Sequence, residues 1–227
     1  MIINKYGITL TRLTIDDIEL VRKKRNLKEI RNCMVYKKKI NATQQKNWFE
    51  SIDNINNIYF LIIYKGEKIG IINGKNTDFN TRTSEGGIFI WSKEHLNSIV
   101  PSLCAIIMHD YNFFVCDFEK TYIKVLKNNF AAINFNKIIG YEIVDNNPNQ
   151  TFYTCALSKA KYFEKIKKYR KVLANISKDL EPLSIENFSF STTSDEDIIR
   201  LYGSLPNYLK EKVNSVLKHE NRILLSI

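Results

Sequence analysis

Residues 129–141 read Asn129-Phe-Ala-Ala132-Ile-Asn-Phe135-Asn136-Lys-Ile-Ile-Gly140-Tyr141, and this stretch decides the fold. Its first residue, an asparagine, suits a helix cap, and a helix is predicted over 130–138. Gly140 ends that helix, because glycine accepts the left-handed backbone that helix ends require, and Tyr141 begins the next strand. A strand predicted over 121–126 precedes the helix. The stretch therefore belongs to a strand–helix–strand unit.

Upstream of this unit, the sequence predicts a strand, two helices and three further strands. The first strand, over 6–13, alternates apolar and polar residues, and Thr14 with Asp17 forms a capping box that begins the first helix. That helix is predicted to run toward Asn26, and the second helix covers 43–52. The three strands follow over 58–64, 68–75 and 84–91.

A helix over 101–116 and two closing strands complete the predicted domain. The closing strands cover 140–144 and 151–157, which makes the element order β-α-α-β-β-β-α-β-α-β-β. This order predicts an α/β fold with a mixed central sheet flanked by helices. We expect one main domain over 1–157 and a helical C-terminal extension over 158–227.

The extension opens with a helix that carries a narrow apolar seam. Its apolar residues recur at alternating spacings of four and three, which is typical of a seam between packed helices. The seam either packs against its own domain or forms a homodimer. A loop is predicted over 182–194, and helices are predicted over 195–201 and 205–217. The seam residues are Tyr162, Ile166, Tyr169, Leu173, Ile176 and Leu180.

The composition favours an anionic partner. Lysine and arginine number 34 against 24 aspartate and glutamate residues, a net charge of +10 over 227 residues. Such a charge suits a nucleic acid, a membrane surface, or a phosphorylated substrate or cofactor. The longest apolar stretch, over 58–64, is far shorter than the roughly 20 residues of a membrane span. With no signal-peptide pattern, we predict a cytoplasmic protein without membrane association.

The cysteines and histidines are too scattered to predict a disulfide framework or a metal site. There is no Cys-x-x-Cys pair, and three histidines accompany the four cysteines. We predict reduced, buried thiols without a catalytic role, and no metal cofactor. The cysteines are Cys33, Cys104, Cys116 and Cys155.

The stretch 129–141 resembles a motif of the GNAT superfamily of acyltransferases. The shared features are an asparagine, an Ala-Ile pair three residues later, and a Gly-aromatic pair eleven and twelve residues after the asparagine. Glu85-x-Gly87-x-x-Ile90 is similar to the family's central strand, and the residues from Tyr111 to Phe114 are similar to the end of the helix that follows it. The resemblance covers 7–157 and implies an N-acetyltransferase with acetyl-CoA as donor.

The resemblance implies a site for the pantetheine arm and the phosphates of CoA. Backbone groups of Ile88, Phe89 and Ile90 would pair with pantetheine as an added strand would. On the phosphate side the family uses a glycine-rich loop, whereas residues 92–101 contain no glycine. Either Asn97 and Ser98 replace the glycines, or CoA binds weakly, differently or not at all. The other implied cofactor contacts are Asn129, Ala132 and Phe135.

The resemblance also implies direct attack of an amine on the thioester within a ternary complex. Many members protonate the leaving thiolate with a tyrosine, but the matching residue here is Asn136, which is no acid. Another tyrosine or water must then take this role, and Tyr141 and Tyr153 are the candidate tyrosines. Glu85, at the head of the central strand, is the candidate for taking the amine's proton through water, and a structural carboxylate is the alternative.

Residues 24–34 are similar to the acceptor side of enzymes that N-acetylate a UDP-linked 4-amino-sugar in pseudaminic acid biosynthesis. This implies an amino-sugar nucleotide as the small-molecule partner, in bacterial cell-surface polysaccharide biosynthesis. Arginine suits the diphosphate because guanidinium groups bind phosphates bidentately, and an aromatic ring could pack on the sugar or uracil. The predicted acceptor residues are Arg25, Asn26, Arg31, Met34, Tyr36 and Trp48.

Two other classes of function stay open at this stage. The first is a catalytically silent module with the same fold, which has lost CoA binding together with the glycines and uses its C-terminal extension for assembly. The second, and the less favoured, is a nucleic-acid-binding protein that uses lysine-rich faces at 22–25, 37–39 and 165–171.

Overall fold

The computed structural model describes residues 1–177, 179 and 181–224. Within them, nine strands form one sheet, and its order is β7-β8-β6-β5-β4-β3-β2-β1-β9 when the strands are numbered along the chain. Neighbouring strands are antiparallel except for β5 and β6, which are parallel. The predicted mixed sheet is confirmed. The strands are β1 Ile2–Lys5, β2 Ile8–Arg12, β3 Ile58–Tyr64, β4 Glu67–Asp78, β5 Thr83–Ile90, β6 Lys120–Leu126, β7 Glu142–Asp145, β8 Phe152–Ser158 and β9 Phe188–Ser189.

Helices cover both faces of this sheet. Thr14 and Asp17 form the predicted capping box, which opens a short 3-10 turn that leads into the first helix. None of the helices in the described residues is long and apolar enough to cross a membrane. The helices are α1 Ile18–Arg25, α2 Lys28–Asn32, α3 Ala42–Ile52, α4 Lys93–Leu96, α5 Val100–Asp110, α6 Phe130–Ile139, α7 Lys159–Ser177, α8 Asp195–Tyr202 and α9 Asn207–His219.

Strand β3 is apolar throughout because both faces of the sheet are covered there. Alternate residues of a strand point to opposite faces. Phe60 of β3 belongs to the main core, together with Ile107 of α5. Its neighbour Leu61 belongs to a second cluster, together with Val21 of α1 and Phe49 of α3. The helix α5 therefore lies on one face of the sheet, and α1 and α3 lie on the other.

The C-terminal segment shares the main core and adds a strand to the sheet. Residues 182–194, predicted as a loop, contain β9, which pairs with β1 at Ile2↔Ser189 and Ile3↔Phe188. The sequence analysis missed both strands. Residues of α8 and α9 also join the main core, among them Ile198 and Leu217. The domain boundary near residue 157 stays a prediction.

Part of the predicted apolar seam of α7 packs against the rest of the chain. Tyr162 and Ile166 are buried in the main core, so these two residues are not available to a partner. Leu180 and the side chains of Leu173 and Ile176 lie outside the described residues. Packing against its own domain, one of the two alternatives, therefore holds for the first half of the seam.

A buried ion pair holds this segment to the sheet. Asp110, at the end of α5, is 0% exposed. Arg170 of α7 donates to both of its carboxylate oxygens, at 2.5 and 2.6 Å. Tyr162 donates its hydroxyl to Asp110 at 2.6 Å, and the Leu183 N–H donates at 3.0 Å. Arg170 also donates to the hydroxyl of Tyr6, beside β1, at 2.7 Å. Asp110 joins α5 to α7, and Arg170 extends the network to the turn that follows β1.

Candidate functional site

The strands β5 and β6 part halfway along their length. They are paired from Thr83↔Lys120 to Gly86↔Ile123. Beyond Gly86 their pairing does not continue in the described part of the chain, although β5 still pairs with β4 and β6 with β8. Residues 87–90 and 124–126 therefore face each other across an opening, which we call the wedge. Backbone N–H and C=O groups of β5 and β6 that point into the wedge can bind an extended ligand, although the Leu126 carbonyl already accepts the Asn129 N–H at 2.9 Å.

Ile88, Phe89 and Ile90, the residues predicted to contact the cofactor, form the β5 side of the wedge. Ile90 is buried in the main core, and Phe89 packs on the second cluster at the opposite face. Ile88 is 39% exposed. The side chains of Phe89 and Ile90 are packed in the two cores. It is therefore mainly their backbone N–H and C=O groups that can bind a ligand.

The predicted contacts on α6 lie beside the wedge, because β5 and β6 are parallel and the elements that follow them begin at the same edge of the sheet. Asn129 accepts a hydrogen bond from the Ala132 N–H at 3.1 Å and so caps α6. Phe135 packs against the main core. Asn136 donates to the Ala132 carbonyl at 2.8 Å, within the helix. The Asn129 amide oxygen is therefore used by the fold, which leaves its NH2 group for a ligand.

The segment 92–101 is a folded turn rather than an open loop. The short helix α4 occupies its first half, and the ring of His95 is buried against Tyr64, with centroids 5.2 Å apart. Ser98 donates to the His95 carbonyl at 2.7 Å and accepts the Val100 N–H at 3.2 Å. The Ser98 hydroxyl, predicted to bind phosphate, is thus engaged in the turn itself.

The first turn of α5 offers few donors to a phosphate group. The Val100 N–H is satisfied by Ser98, and Pro101 has no N–H. Asn97 is exposed beside this turn and keeps its side chain available. A phosphate at this position would meet fewer backbone N–H groups than a glycine-rich loop supplies.

Glu85 lies where the wedge closes and is paired with two lysines. Its carboxylate is 3.0 Å from Lys75 Nζ and 3.3 Å from Lys124 Nζ. Burial favours the neutral acid, but the hydrogen bonds and charges of Lys75 and Lys124 outweigh it and lower the pKa of Glu85. Glu85 is therefore ionised at neutral pH and is a weak base.

Asn73 and Tyr59, neither of which is among the predicted site residues, lie on the same face as Glu85. Asn73 is opposite Tyr59 on one side and opposite Gly87 on the other. Asn73 is 9% exposed, and its Nδ2 has no hydrogen-bond partner among the described residues. A Cβ at Gly87 would come within 2.9 Å of Asn73 Oδ1, so the Asn73 amide lies over Gly87.

Burial, followed by the charge of Glu85, raises the pKa of Tyr59 to about 12. Trp48, a predicted acceptor residue, packs edge-on against Tyr59, with ring centroids 5.1 Å apart. Through Tyr59, Trp48 lies close to the closed end of the wedge at Gly86 and Ile123, which we call its vertex. We call Tyr59, Asn73, Lys75, Glu85 and Lys124 the vertex cluster.

Tyr141 does not reach the wedge, which corrects its prediction as a general acid. Its hydroxyl is bonded to His109 Nε2 at 2.9 Å and to Thr121 Oγ1 at 3.0 Å, inside the main core. Burial raises the pKa of Tyr141 well above its ordinary value. Tyr153, the other candidate, is half-buried on β8, and Lys127 Nζ lies 5.3 Å from its ring.

The predicted acceptor residues Arg25 and Asn26 brace the chain between α2 and α3. Arg25 donates to the carbonyls of Lys38, at 2.7 Å, and Tyr36, at 2.6 Å. Asn26 binds both backbone groups of Ile40, at 2.7 and 3.0 Å. Burial lowers the pKa of Arg25. These contacts give both residues a structural role, and their contact with a diphosphate stays a prediction.

Arg31 has the same role. It donates to the carbonyls of Asn26, at 3.1 Å, and Lys37, at 3.0 Å. Met34 is half-buried, whereas Tyr36 is exposed at the tip of the braced segment. Of the residues predicted on this segment, Tyr36 is therefore the one whose side chain is most available to a ligand.

The described residues contain neither a disulfide nor a cluster of metal-ligating side chains. Each cysteine is free; Cys104, Cys116 and Cys155 are buried as predicted, but Cys33 is exposed. Among the described residues, no group of three His, Cys, Asp or Glu side chains is placed to hold a metal ion.

No family model matches the chain, and none of the curated proteins matches it. Several solved structures, in contrast, match the chain. A spermidine N-acetyltransferase from Vibrio cholerae in complex with CoA and spermine has a TM-score of 0.62 and 18% identity, and the match covers 70% of this chain and 99% of that one. A domain from Methanocaldococcus jannaschii has a TM-score of 0.59 and 17% identity, with 66% and 97% covered.

A dodecameric form of the Vibrio cholerae spermidine N-acetyltransferase has a TM-score of 0.56 and 17% identity, with 70% of this chain and 97% of that chain covered. The solved structures are covered almost completely, so part of this chain has no counterpart in them. None of the three supports the amino-sugar resemblance of residues 24–34. At these identities the similarity shows the fold alone: the chain shares the mixed α/β fold of these solved structures, as the resemblance of residues 129–141 implies.

Proposed function

We propose that the chain transfers an acetyl group from acetyl-CoA to an amine. The observation that carries this proposal is the parting of β5 and β6 after Gly86. The pantetheine arm of CoA is extended and carries two amide groups, so it can bind the backbone of residues 87–90 as an added strand would. The fold and the solved neighbours that act on amines with CoA support the same activity.

The vertex of the wedge supplies the chemistry in this proposal. The amine nitrogen attacks the thioester carbon, an N–C bond forms, the C–S bond breaks, and the amine's proton leaves. Free N–H groups of 87–90 polarise the thioester oxygen. Glu85 takes the proton through water, but its lowered pKa makes it a weak base. The leaving thiolate takes its proton from water, since Asn136 is no acid.

The acceptor in this proposal is an amino sugar linked to a nucleotide. It is supported by the resemblance of residues 24–34 and by the exposed Tyr36 beside Lys37, Lys38 and Lys39. An aromatic ring and ammonium groups suit a uracil and a diphosphate. A polyamine is the other acceptor that the neighbours suggest. We also propose self-association, since one neighbour is dodecameric.

Titration calorimetry with acetyl-CoA tests this proposal. We expect binding that is weakened at least about tenfold, or 1.4 kcal/mol, in Ile88→Asp, because the uncharged pantetheine arm would have to displace water from a carboxylate. Ile143→Asp is the matched control, since Ile143 is 42% exposed on β7 and lies away from the wedge. Equal loss in both variants would contradict a site in the wedge.

A catalytically silent module is the second candidate function. The folded turn at 92–101, where Ser98 satisfies the Val100 N–H, favours it. Release of CoA thiol in the presence of amines separates the two candidates. Binding of acetyl-CoA without thiol release from any amine would support the silent module.

A further inference from the structure

The vertex cluster carries more positive than negative charge. Glu85 is its one carboxylate, and Lys75 and Lys124 contact opposite oxygens of that carboxylate. Both lysine side chains are also partly exposed, so an incoming ligand can reach their ammonium groups. An acceptor that binds beside Glu85 therefore meets one uncompensated positive charge.

Asn73 supplies a second, independent observation. Its Nδ2 is a buried donor without a partner among the described residues, and such groups are costly unless a ligand or water satisfies them. The amide lies over Gly87, the first β5 residue beyond the pairing with β6. Its natural partner is an oxygen of whatever occupies the vertex.

We infer that the acceptor is an amine that also carries an anionic group, a carboxylate or a phosphate, and that polyamines are disfavoured. The anionic group binds Lys75 or Lys124, and one of its oxygens accepts from Asn73 Nδ2. This inference rests on the proposed acetyl transfer, whose substrate class it names.

The same charges explain why polyamines are disfavoured. The anionic group of the acceptor neutralises the one excess positive charge of Lys75, Lys124 and Glu85. A polyamine carries several ammonium groups and no anionic group, so Lys75 and Lys124 repel it.

Matched amines test the inference through initial rates of CoA thiol release. The pairs are glucosamine 6-phosphate with glucosamine, and alanine with alaninamide; spermidine represents the polyamines. We expect the anionic member of at least one pair to exceed its neutral partner by about tenfold or more in kcat/KM, the size of one charge-assisted contact. Spermidine should rank below both members. The pair that shows the effect distinguishes phosphate from carboxylate.

Substitutions test whether the vertex cluster causes this preference. Lys75→Gln and Lys124→Gln should each reduce the preference for the anionic amine and raise its KM. Lys120→Gln, on the same strand as Lys124 and the same face, is the control and should change neither. Asn73→Leu should lower kcat/KM without lowering stability, because it removes an unpaired donor. Unchanged kcat/KM in Asn73→Leu would mean that ordered water alone satisfies the amide, and would overturn its assignment.

The possible failures can be told apart. Absence of acetyl-CoA binding contradicts the proposed function itself. If acetyl-CoA binds, a spermidine rate equal to or above those of the anionic amines overturns only the inferred substrate class. Binding of acetyl-CoA with no turnover of either anionic amine overturns it as well.

Discussion

Asp110 and Asn73 are both buried polar residues, one in the core that holds the C-terminal segment and one beside the wedge. Both oxygens of Asp110 are paired, with Arg170, Tyr162 and Leu183. Asn73 Nδ2, in contrast, has no partner among the described residues. A satisfied buried network holds a fold together, whereas an unsatisfied donor next to an opening is expected where a ligand completes the contacts.

The two regions should therefore respond differently to substitution. Changes around Asp110 should alter stability and leave ligand binding intact in the folded protein. Changes at the vertex cluster should alter catalysis, with smaller effects on stability. The predictions below test this contrast.

The largest effect is expected for Asp110→Asn. It leaves Arg170 buried without a counter-charge, and breaking a buried pair in this way costs about 3–5 kcal/mol. Asp117→Asn is the matched control, because Asp117 also pairs with an arginine, Arg82, and with Lys159, but its side chain is 43% exposed, and such pairs contribute about 0–1 kcal/mol. Urea unfolding measures both. Equal losses would contradict the structural role of Asp110, as would weaker acetyl-CoA binding by folded Asp110→Asn.

Gly87→Ala should have an intermediate effect on stability and a clear effect on catalysis. The new Cβ would meet Asn73 Oδ1 at 2.9 Å, so the Asn73 side chain must move, at a cost of about 1–3 kcal/mol. Gly86→Ala is the control, since its Cβ would find ordinary contacts at 3.6 Å and beyond. Thermal unfolding and thiol-release rates measure both variants. If Gly87→Ala kept full activity, the assignment of Asn73 to the acceptor site would be wrong.

A smaller effect is expected from pH, through His109. Burial lowers the pKa of His109 below its ordinary value, against the opposing effects of the Ala105 carbonyl and Asp110. The unfolded chain then binds a proton that the folded chain does not, so stability should fall as pH drops below about 6.5 toward the folded pKa. His109→Gln should flatten this dependence in urea unfolding, and His219→Gln, at the exposed end of α9, should not. An unchanged pH dependence in His109→Gln would show that another group is responsible.

The smallest effect concerns the nucleotide part of CoA. Because Ser98 and Pro101 leave the start of α5 with few free N–H groups, phosphate binding there should contribute little. Acetyl-CoA and S-acetylpantetheine should differ in kcat/KM by about tenfold or less, about 1.4 kcal/mol. A difference of several hundredfold would show that the turn at 92–101 binds phosphates after all.

Much of the fold follows from local patterns. Strand β3 spans the predicted residues 58–64, because a short apolar run between turn residues has few other interpretations. The first helix follows its predicted capping box at Thr14. Strands β1 and β9 were missed because they are short and depend on pairing between distant parts of the chain. Propensity carries no information about such pairing.

The site was harder to predict. Glu85 could be recognised because it belongs to a motif, but the environment of Asn73 depends on Gly87 of a neighbouring strand. Arg25 was predicted to contact a substrate, and its hydrogen bonds to the backbone carbonyls of Lys38 and Tyr36 could not be predicted, because such contacts leave no trace in the sequence. Tyr141 was misplaced for a similar reason, since its partner His109 comes from a different helix.

A crystal structure with acetyl-CoA is the decisive experiment. We expect the pantetheine arm to lie between β5 and β6 and to hydrogen-bond the backbone of residues 87–90, with the thioester near Gly87 and the vertex cluster. Acetyl-CoA bound elsewhere, with the wedge empty, would contradict this expectation.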